Sequence, residues 1–372
     1  MMTPEENMRM TRVGPGTPCG NMLRRYWWPV GFSSELEAGK SSPTRILGED
    51  LILYRDGSGH VGLLDERCPH RGASLQLGRV EQDGIRCCYH GWKFDDAGRC
   101  LDMPTEPANT PLLNEVRQPA YKTEETGGVI FAYMGPDPAP VFPRYDLLFL
   151  PGLHRIVSAS LDHCNWLQRA ENTVDQLHAT VLHAAGYPEL ALQRADIDWT
   201  RTAYGIRAEY SVAGGQGKVS HFIFPSANRY FGARKGERPS QNMHFRVPRD
   251  DVSTITYAVR THEDPEGKGS LTTRGLRIRE RGVYERIEDG WWNLASNEQD
   301  RAAQESQGLI ADRTREILGA SDRGVVMFRR MLTDAIRSVE ANEDPPGVIR
   351  QTQDGFIGFD AKQVRDGKLI QA

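Results

Sequence analysis

Four side chains able to bind a soft or borderline metal sit in two short loops. Cys68-Pro69-His70 is followed, after sixteen intervening residues, by Cys87-Cys88-Tyr89-His90. Thiolates and neutral imidazoles serve both zinc and iron–sulfur centres. Structural zinc sites usually group Cys with Cys and His with His, as in C-x2–4-C with H-x3–5-H. Here each loop brings one of each, C-x-H and C-x-x-H. That pairing suits a two-iron cluster with two Cys on one iron and two His on the other. Imidazole donates less charge than thiolate, so such a cluster is reduced at a higher potential than a four-Cys one. Only Cys87 keeps the x-x spacing to His90, so Cys88 reads as a packed free thiol.

A second set of metal-binding side chains lies in a stretch that reads as helix, Asn165 to Ala185. Asp175 and His178 are three apart and share a helix face. His178 and His183 are five apart, which on an ideal helix turns the rings away from each other. Both reach one metal only if the helix ends or distorts near Thr180 to Leu182. Two His plus one carboxylate, with positions left open, is the arrangement of non-haem Fe(II) oxygen chemistry. A helical His is nevertheless more often a surface or core residue.

The elements that must position these groups fall into two textures. Residues 44 to about 135 read as short strands between turn clusters: Gly48-Glu49-Asp50, Asp56-Gly57-Ser58-Gly59 and Asp95-Asp96-Ala97-Gly98. Val129-Ile130-Phe131-Ala132-Tyr133 closes the series as an apolar strand. Four prolines between Pro136 and Pro143 mark a boundary. Beyond about residue 151 the helical stretch leads into strands at Gly205–Val212, Val219–Phe224, Met243–Val247 and Thr254–Val259. Trp291 to Leu332 reads helical again. The expected division is 1–43 as an N-terminal segment packing on the C-terminal domain, 44–143 as an all-β metal domain, and 144–372 as a second domain. The 372 residues suffice for two domains of ordinary size.

Composition narrows the partners. With 46 Lys and Arg against 50 Asp and Glu, the net charge of −4 offers no reason to expect nucleic acid or an anionic membrane. No run of eighteen apolar residues is present. The N-terminus lacks the basic and apolar regions of a signal peptide. The six cysteines show no paired framework, which suits a reducing cytoplasm. Gly14-x-Gly16 and Gly127-Gly128 do not complete a G-x-G-x-x-G nucleotide fingerprint.

Arg71-Gly72-Ala73 after the first metal loop and Gly91-Trp92-Lys93-Phe94-Asp95 after the second resemble the Rieske proteins. Over nearly its full length the chain is similar to the Rieske non-haem iron oxygenases, α-subunit type. The likeness is to the phthalate-dioxygenase-like group, which includes O-demethylases. That family's N-x-x-D-x-x-H-x(4)-H motif falls on Asn172, Asp175, His178 and His183 without a gap.

The resemblance implies an α+β protein: an all-β Rieske [2Fe-2S] domain followed by a helix-grip-like catalytic domain with an antiparallel sheet and a mononuclear iron site. It implies Cys68, His70, Cys87 and His90 on the cluster. It implies His178 and His183 on a non-haem Fe(II), with Asp300 of Gln299-Asp300 as the carboxylate and Glu298 and Glu305 as competitors. It gives Asp175 the role of bridging His178 to a cluster-ligating His of a neighbouring subunit, and hence a head-to-tail ring, usually a trimer. It implies an electron donor, either a flavin/iron-sulfur reductase or a ferredoxin, with O2 and a small aromatic substrate. The reaction expected is hydroxylation or O-demethylation of an aromatic acid. Arg207 and Arg246, in expected strands, could fork onto its carboxylate. Rival readings are a Rieske-type electron carrier, a zinc-stapled binding module, and an oxygenase for a neutral or sulfonated aromatic. A carrier needs only about a hundred residues and leaves roughly 220 without a task.

Overall fold

The structure is a computed structural model describing residues 2–184, 195–212, 218–232, 238–278, 290–351 and the strand pair 364–365 and 368–369. Two helices open the chain, α1 (Pro4–Thr11) and α2 (Pro18–Leu23). Each has Thr at the N-cap and Pro in its first turn, where the missing N–H costs nothing. In α1 the Glu6 carboxylate also accepts from the Thr3 N–H, closing a capping box.

The first sheet holds β1 (Trp27–Phe32), β2 (Lys40–Ile46), β3 (Glu49–Arg55) and β4 (Val61–Asp65). A small sheet follows, of β5 (Arg79–Glu81), β6 (Gly84–Arg86), β7 (Lys93–Phe94) and β8 (Cys100–Asp102). A short helix α3 (Leu112–Glu115) returns the chain to the first sheet as β9 (Ala120–Thr126) and β10 (Val129–Tyr133). The first sheet runs β1-β10-β9-β4-β3-β2 and the small one β5-β6-β7-β8. The segment 1–43 therefore divides between two places. Helix α2 lies against the long C-terminal helix, whereas Trp27–Phe32 pairs with β10 and Lys40–Ile46 with β3.

The β2–β3 turn falls on Leu47 and Gly48, one residue earlier than the turn cluster suggests. Both have positive φ, 50° and 80°, the backbone of a tight two-residue hairpin turn. Tertiary pairing explains why a leucine accepts this: its N–H donates to Pro248 O (2.8 Å) and that of Gly48 to Arg249 O (3.0 Å). Leu47 itself is fully buried.

After the proline-rich stretch come α4 (Asp146–Phe149), β11 (Leu153–Asp162), α5 (Trp166–Val174) and α6 (Ala179–Leu182). Seven more strands follow: β12 (Ala195–Arg201), β13 (Gly205–Val212), β14 (Lys218–Ile223), β15 (Ala227–Gly232), β16 (Ser240–Pro248), β17 (Thr254–Glu263) and β18 (Ser270–Arg277). Helices α7 (Ser296–Ser306) and α8 (Arg323–Glu340) complete the domain. The sheet order is β12-β13-β14-β15-β16-β17-β11-β18. Every neighbouring pair is antiparallel except β11 with β18, which is parallel.

Helix α8 lies on this sheet. Phe328, fully buried, meets Phe222 at 4.8 Å between ring centroids and Trp166 of α5 at 6.5 Å. The two large sheets share one core: Phe131 of β10 packs edge-on against Phe245 of β16 at 5.7 Å. A second core under the small sheet gathers Ile52, Tyr54, Leu64, Leu75, Ile85 and Phe94 around Cys68 and Cys87.

Two helical expectations are corrected. The stretch 291–332 is not continuous: no α-helix occupies 307–322, Gly308 turns the chain at φ 94°, and Ile317 is 97% exposed. The first stretch ends at Leu182, within the expected Thr180–Leu182, where His183 leaves the helical basin (φ −104°, ψ 12°), but it also breaks earlier, at Asp175. Asp175 leaves the helical basin (φ −93°, ψ 102°), and its own Oδ1 accepts from the Leu177 N–H (3.0 Å), starting a new turn. Ala185, at the end of that stretch, lies outside the described residues. Among the described residues no helix is long and apolar enough to cross a membrane.

Candidate metal centres and substrate pocket

The two metal loops are built alike. Cys68 N–H donates to Ala73 O (2.9 Å) and Cys87 N–H to Trp92 O (2.8 Å). Gly72 N–H returns to Cys68 O (2.9 Å) and Gly91 N–H to Cys87 O (3.2 Å). Both glycines have φ near +75°, and at Gly91 a Cβ would also meet Pro104 at 2.7 Å. The first loop lies between β4 and β5, the second between β6 and β7.

This pairing brings Cys68 and Cys87 together, 2% and 3% exposed. Burial, with Cys87 alongside, pushes the Cys68 thiol up to about 11. Cluster loading must therefore displace a proton there. Cys88 is exposed rather than packed, because it shares the outward loop tip with Tyr89. His70 stacks flat on Trp92 (4.4 Å, 7°) and meets His90 at 4.4 Å. His70 Nδ1 is buried without a hydrogen-bond partner. A buried imidazole nitrogen keeping its lone pair fits a metal ligand, as do two adjacent buried thiols.

His178, His183 and Asp300 present ligand atoms that all lie within 4.8 Å of one another. Asp300 Oδ1 is 3.1 Å from His183 Nε2 and 3.4 Å from His178 Nε2. The end of α6 makes this possible: His183 leaves the helical basin (φ −104°, ψ 12°), and the two rings stand 5.3 Å apart at 81°. Burial works to raise the Asp300 carboxyl, but His178 and His183 outweigh it and hold it far below the usual carboxylate range. Burial likewise opposes charge on His178, and Asp300 raises it overall.

Each ligand has a support. His178 Nδ1 donates to the Asp175 main-chain oxygen (2.6 Å), and His183 Nδ1 to Gln299 Oε1 (2.8 Å). Asn172 Nδ2 lies 3.4 Å from both His178 Nε2 and Asp300 Oδ1. Two His and one carboxylate converging on one point fit an iron(II) site that leaves coordination positions open. Of the competing carboxylates, Glu305 is taken by Arg301 (2.8 Å) and the His163 N–H (2.9 Å), and Glu298 lies 3.9 Å from Arg301. The Asp175 carboxylate is 3.9 Å from His178 Nδ1 and one-third exposed.

The two arginines have different surroundings. Arg207 of β13 pairs with Glu209 (2.7 Å) on the strand face opposite buried Ile206 and Ala208. Arg246 of β16 is 5% exposed. It donates to Asn228 Oδ1 and weakly to His244 O (3.5 Å), and its Nε is buried with no partner. Burial first, then Arg169, pulls its guanidinium down to about 9, with Tyr230, Asp300 and Asp162 acting the other way. His244, on the same face of β16, is pushed well down by burial and by Arg246, so its ring is neutral. Arg246 and His244 both lie close enough to Asp300 for its charge to act on them. The sequence did not single out Gln299, His244 or Tyr230. Only the position of Gln299 beside Asp300 offered a signal.

Residues 26–121 match the Rieske [2Fe-2S] domain family, and residues 293–360 match a family described as LigXa C-terminal domain like. The 5,5'-dehydrodivanillate O-demethylase oxygenase subunit of Sphingobium sp. (strain NBRC 103272 / SYK-6) is 34% identical, across 94% of this chain and 84% of that protein. The oxygenase subunit of a tert-butanol monooxygenase / tert-amyl alcohol desaturase from Aquincola tertiaricarbonis is 35% identical, across 92% and 78%. A solved structure of Pseudomonas putida CBB5 NdmA with caffeine shares the fold at TM-score 0.71 and 19% identity, covering 91% of this chain and all of that one. The chain belongs to the Rieske non-haem iron oxygenases: it is a terminal oxygenase subunit that carries a [2Fe-2S] cluster and a mononuclear iron and takes its electrons from a reductase or ferredoxin.

Proposed function

We propose that this oxygenase acts on a small aromatic carboxylate, by hydroxylation or O-demethylation, with Arg246 holding the acid group. The observation that carries this is the state of Arg246. It is a nearly buried cation whose recorded partners are neutral oxygens and whose Nε has none, close enough to Asp300 for its charge to act on it. A buried charge left uncompensated is costly, and a substrate carboxylate relieves that cost. The relative named for dehydrodivanillate, an aromatic acid, supports the same class. The relative named for tert-butanol favours the second reading, a neutral substrate.

In this reading Cys68, His70, Cys87 and His90 hold the cluster, and His178, His183 and Asp300 hold iron(II). When bound, the cluster supplies single electrons and the iron supplies open positions for dioxygen chemistry. The protein's own groups do the rest. Asn172 spans His178 and Asp300. The Asp175 main-chain oxygen fixes the His178 ring, which leaves the carboxylate to accept an N–H from a cluster-ligating imidazole of a neighbouring protomer. That bridge requires a head-to-tail ring, here a homotrimer. The donor is a flavin/iron-sulfur reductase or a ferredoxin, NAD(P)H is consumed on the donor side and not by this chain, and the compartment is the cytoplasm, which suits cysteines that form no disulfide. The division at 136–143 stands as part of this proposal, with Trp27–Phe32 and Lys40–Ile46 counted in the N-terminal β domain.

The test is product formed per O2 consumed, with aromatic acids, their neutral amides and a tertiary alcohol. Losing a charge-assisted hydrogen bond of about 1.5–3 kcal/mol should raise KM for acids by roughly one to two decades in Arg246→Ala. The ring should also slip, so O2 consumption outruns product. Amides turned over as well as acids by both proteins would leave the neutral reading standing instead.

A further inference from the structure

Gln299 stands one residue before Asp300 on α7, and its side chain is 3% exposed as part of a buried residue. A glutamine amide has two different ends: the oxygen only accepts and the nitrogen only donates. Here the Nε2 end faces two main-chain oxygens, Trp291 O at 3.4 Å and Trp292 O at 3.5 Å. Carbonyl oxygens cannot donate, so that end must be the NH2. The Oε1 end is thereby committed to His183 Nδ1, 2.8 Å away. An oxygen acceptor at 2.8 Å obliges Nδ1 to carry the ring proton, and the lone pair then sits on Nε2. That is the nitrogen facing Asp300 Oδ1 at 3.1 Å.

We propose that Gln299 is a positioning residue that locks His183 in its Nδ1–H tautomer and aims Nε2 at the metal, with the backbone of the Trp291-Trp292 turn as the reference that orients the amide. The inference rests on His183 being an iron ligand. Its consequence is that the 3-10 turn Trp291–Asn293, outside the ligand set, controls how well one ligand binds. His178 is set differently, by the main-chain oxygen of Asp175 at 2.6 Å, so no side chain can be removed to loosen it. Loss of a hydrogen-bond partner behind a ligating histidine typically weakens metal binding 10–100-fold.

The experiment measures Fe(II) affinity of the mononuclear site by chelator competition, on protein with its [2Fe-2S] cluster intact, for Gln299→Met, Gln299→Glu and His183→Ala. Methionine keeps the volume but offers His183 no useful acceptor, so affinity should fall by about 10–100-fold. Glutamate still accepts from Nδ1–H but sets an oxygen against Trp291 O and Trp292 O where the NH2 stood, so affinity should fall by less than about tenfold. His183→Ala should lose the site. Wild-type affinity in Gln299→Met overturns the proposal. So does a Gln299→Glu protein that folds, keeps its cluster spectrum and still binds iron about 10–100-fold more weakly than wild type, because an acceptor at Nδ1 then makes no difference. Should Gln299→Met not fold, the Gln299→Glu result alone decides in the same sense. Wild-type affinity in His183→Ala instead removes the ligand assignment on which the inference stands.

Discussion

At the scale of single residues, the two adjacent cysteines give the sharpest separation. Cys87 is buried against Cys68, whereas Cys88 faces out beside Tyr89. Cys87→Ser is expected to abolish the cluster, and Cys88→Ser to leave it. Visible spectra and the reduced-state EPR signal of both proteins check this; a cluster surviving only in the Cys87 variant reverses the assignment. The C-x-x-H spacing already singled out Cys87, because spacing reports which side chains a tight loop can turn the same way. It could not report that Cys88 is exposed, since burial depends on what lies across the loop. A second residue-scale expectation concerns Asp175. Asn can keep the Leu177 N–H cap but carries no charge to stabilise an imidazolium. Asp175→Asn should therefore retain both metals and lose most turnover. Single-turnover oxidation of the pre-reduced cluster is the readout, and wild-type rates would return Asp175 to a capping role.

At the scale of elements, α5 is held to α8 by a carboxylate as well as by the Trp166–Phe328 contact. Glu171 takes Arg313 (2.8 Å) and Arg329 (2.6 Å), all three side chains nearly buried. Burial pushes its pKa up, and the two arginines more than reverse that, so it lies below its ordinary value. Glu171→Gln takes the carboxylate from buried Arg313 and leaves Arg329 with Glu316 alone (2.7 Å), and should cost about 3–5 kcal/mol. The sign with pH follows. A depressed folded pKa contributes stability above the unfolded value, about 4.3, and loses it as pH falls through the folded one. Wild type should thus lose stability below about pH 4.3 more steeply than the variant. Denaturant titrations at pH 7 and at pH 4 measure both effects; equal stability of the two proteins at both pH values would mean the pair adds nothing net. The strands at Val129–Tyr133 and Gly205–Val212 were legible because a strand's own alternation and turn residues mark it. The gap between α7 and α8 was not, because Leu309 and Ile310 at helical spacing look the same whether or not Gly308 has ended the helix. The end of α6 at Leu182 was legible as a requirement, from two histidines five apart; the break at Asp175 was not. Its place was set by a side chain bonding to its own backbone, which competes locally with the helix.

At the scale of the whole molecule, the question is whether a chain's cluster serves its own iron. The cluster loops extend from the strands of the first and small sheets, the three-ligand site lies on α6 and α7, and among the described residues no hydrogen bond or ion pair joins them. Each site has an open side: Tyr89 at the cluster tip is 55% exposed, and the Asp175 side chain is 32% exposed. If electrons cross between protomers of a ring, two differently crippled chains can complement each other. Cys87→Ser has no cluster but an intact iron site, and His178→Ala has the reverse. Neither should turn over alone. Co-assembled one to one and at random, about one quarter of the ring interfaces put an intact cluster against an intact iron, so about a quarter of wild-type turnover per chain is expected. Each chain carries at least one dead centre, so transfer within a chain predicts no activity in any mixture. The two outcomes differ by the whole signal. Iron analysis guards the result, because wild type should hold three irons per chain: two in the cluster and one at the mononuclear site. The Cys87 variant should hold one and the His178 variant two. A mixture that assembles with those contents and stays inactive would show that the cluster and iron of one chain work together, and the ring would lose its reason.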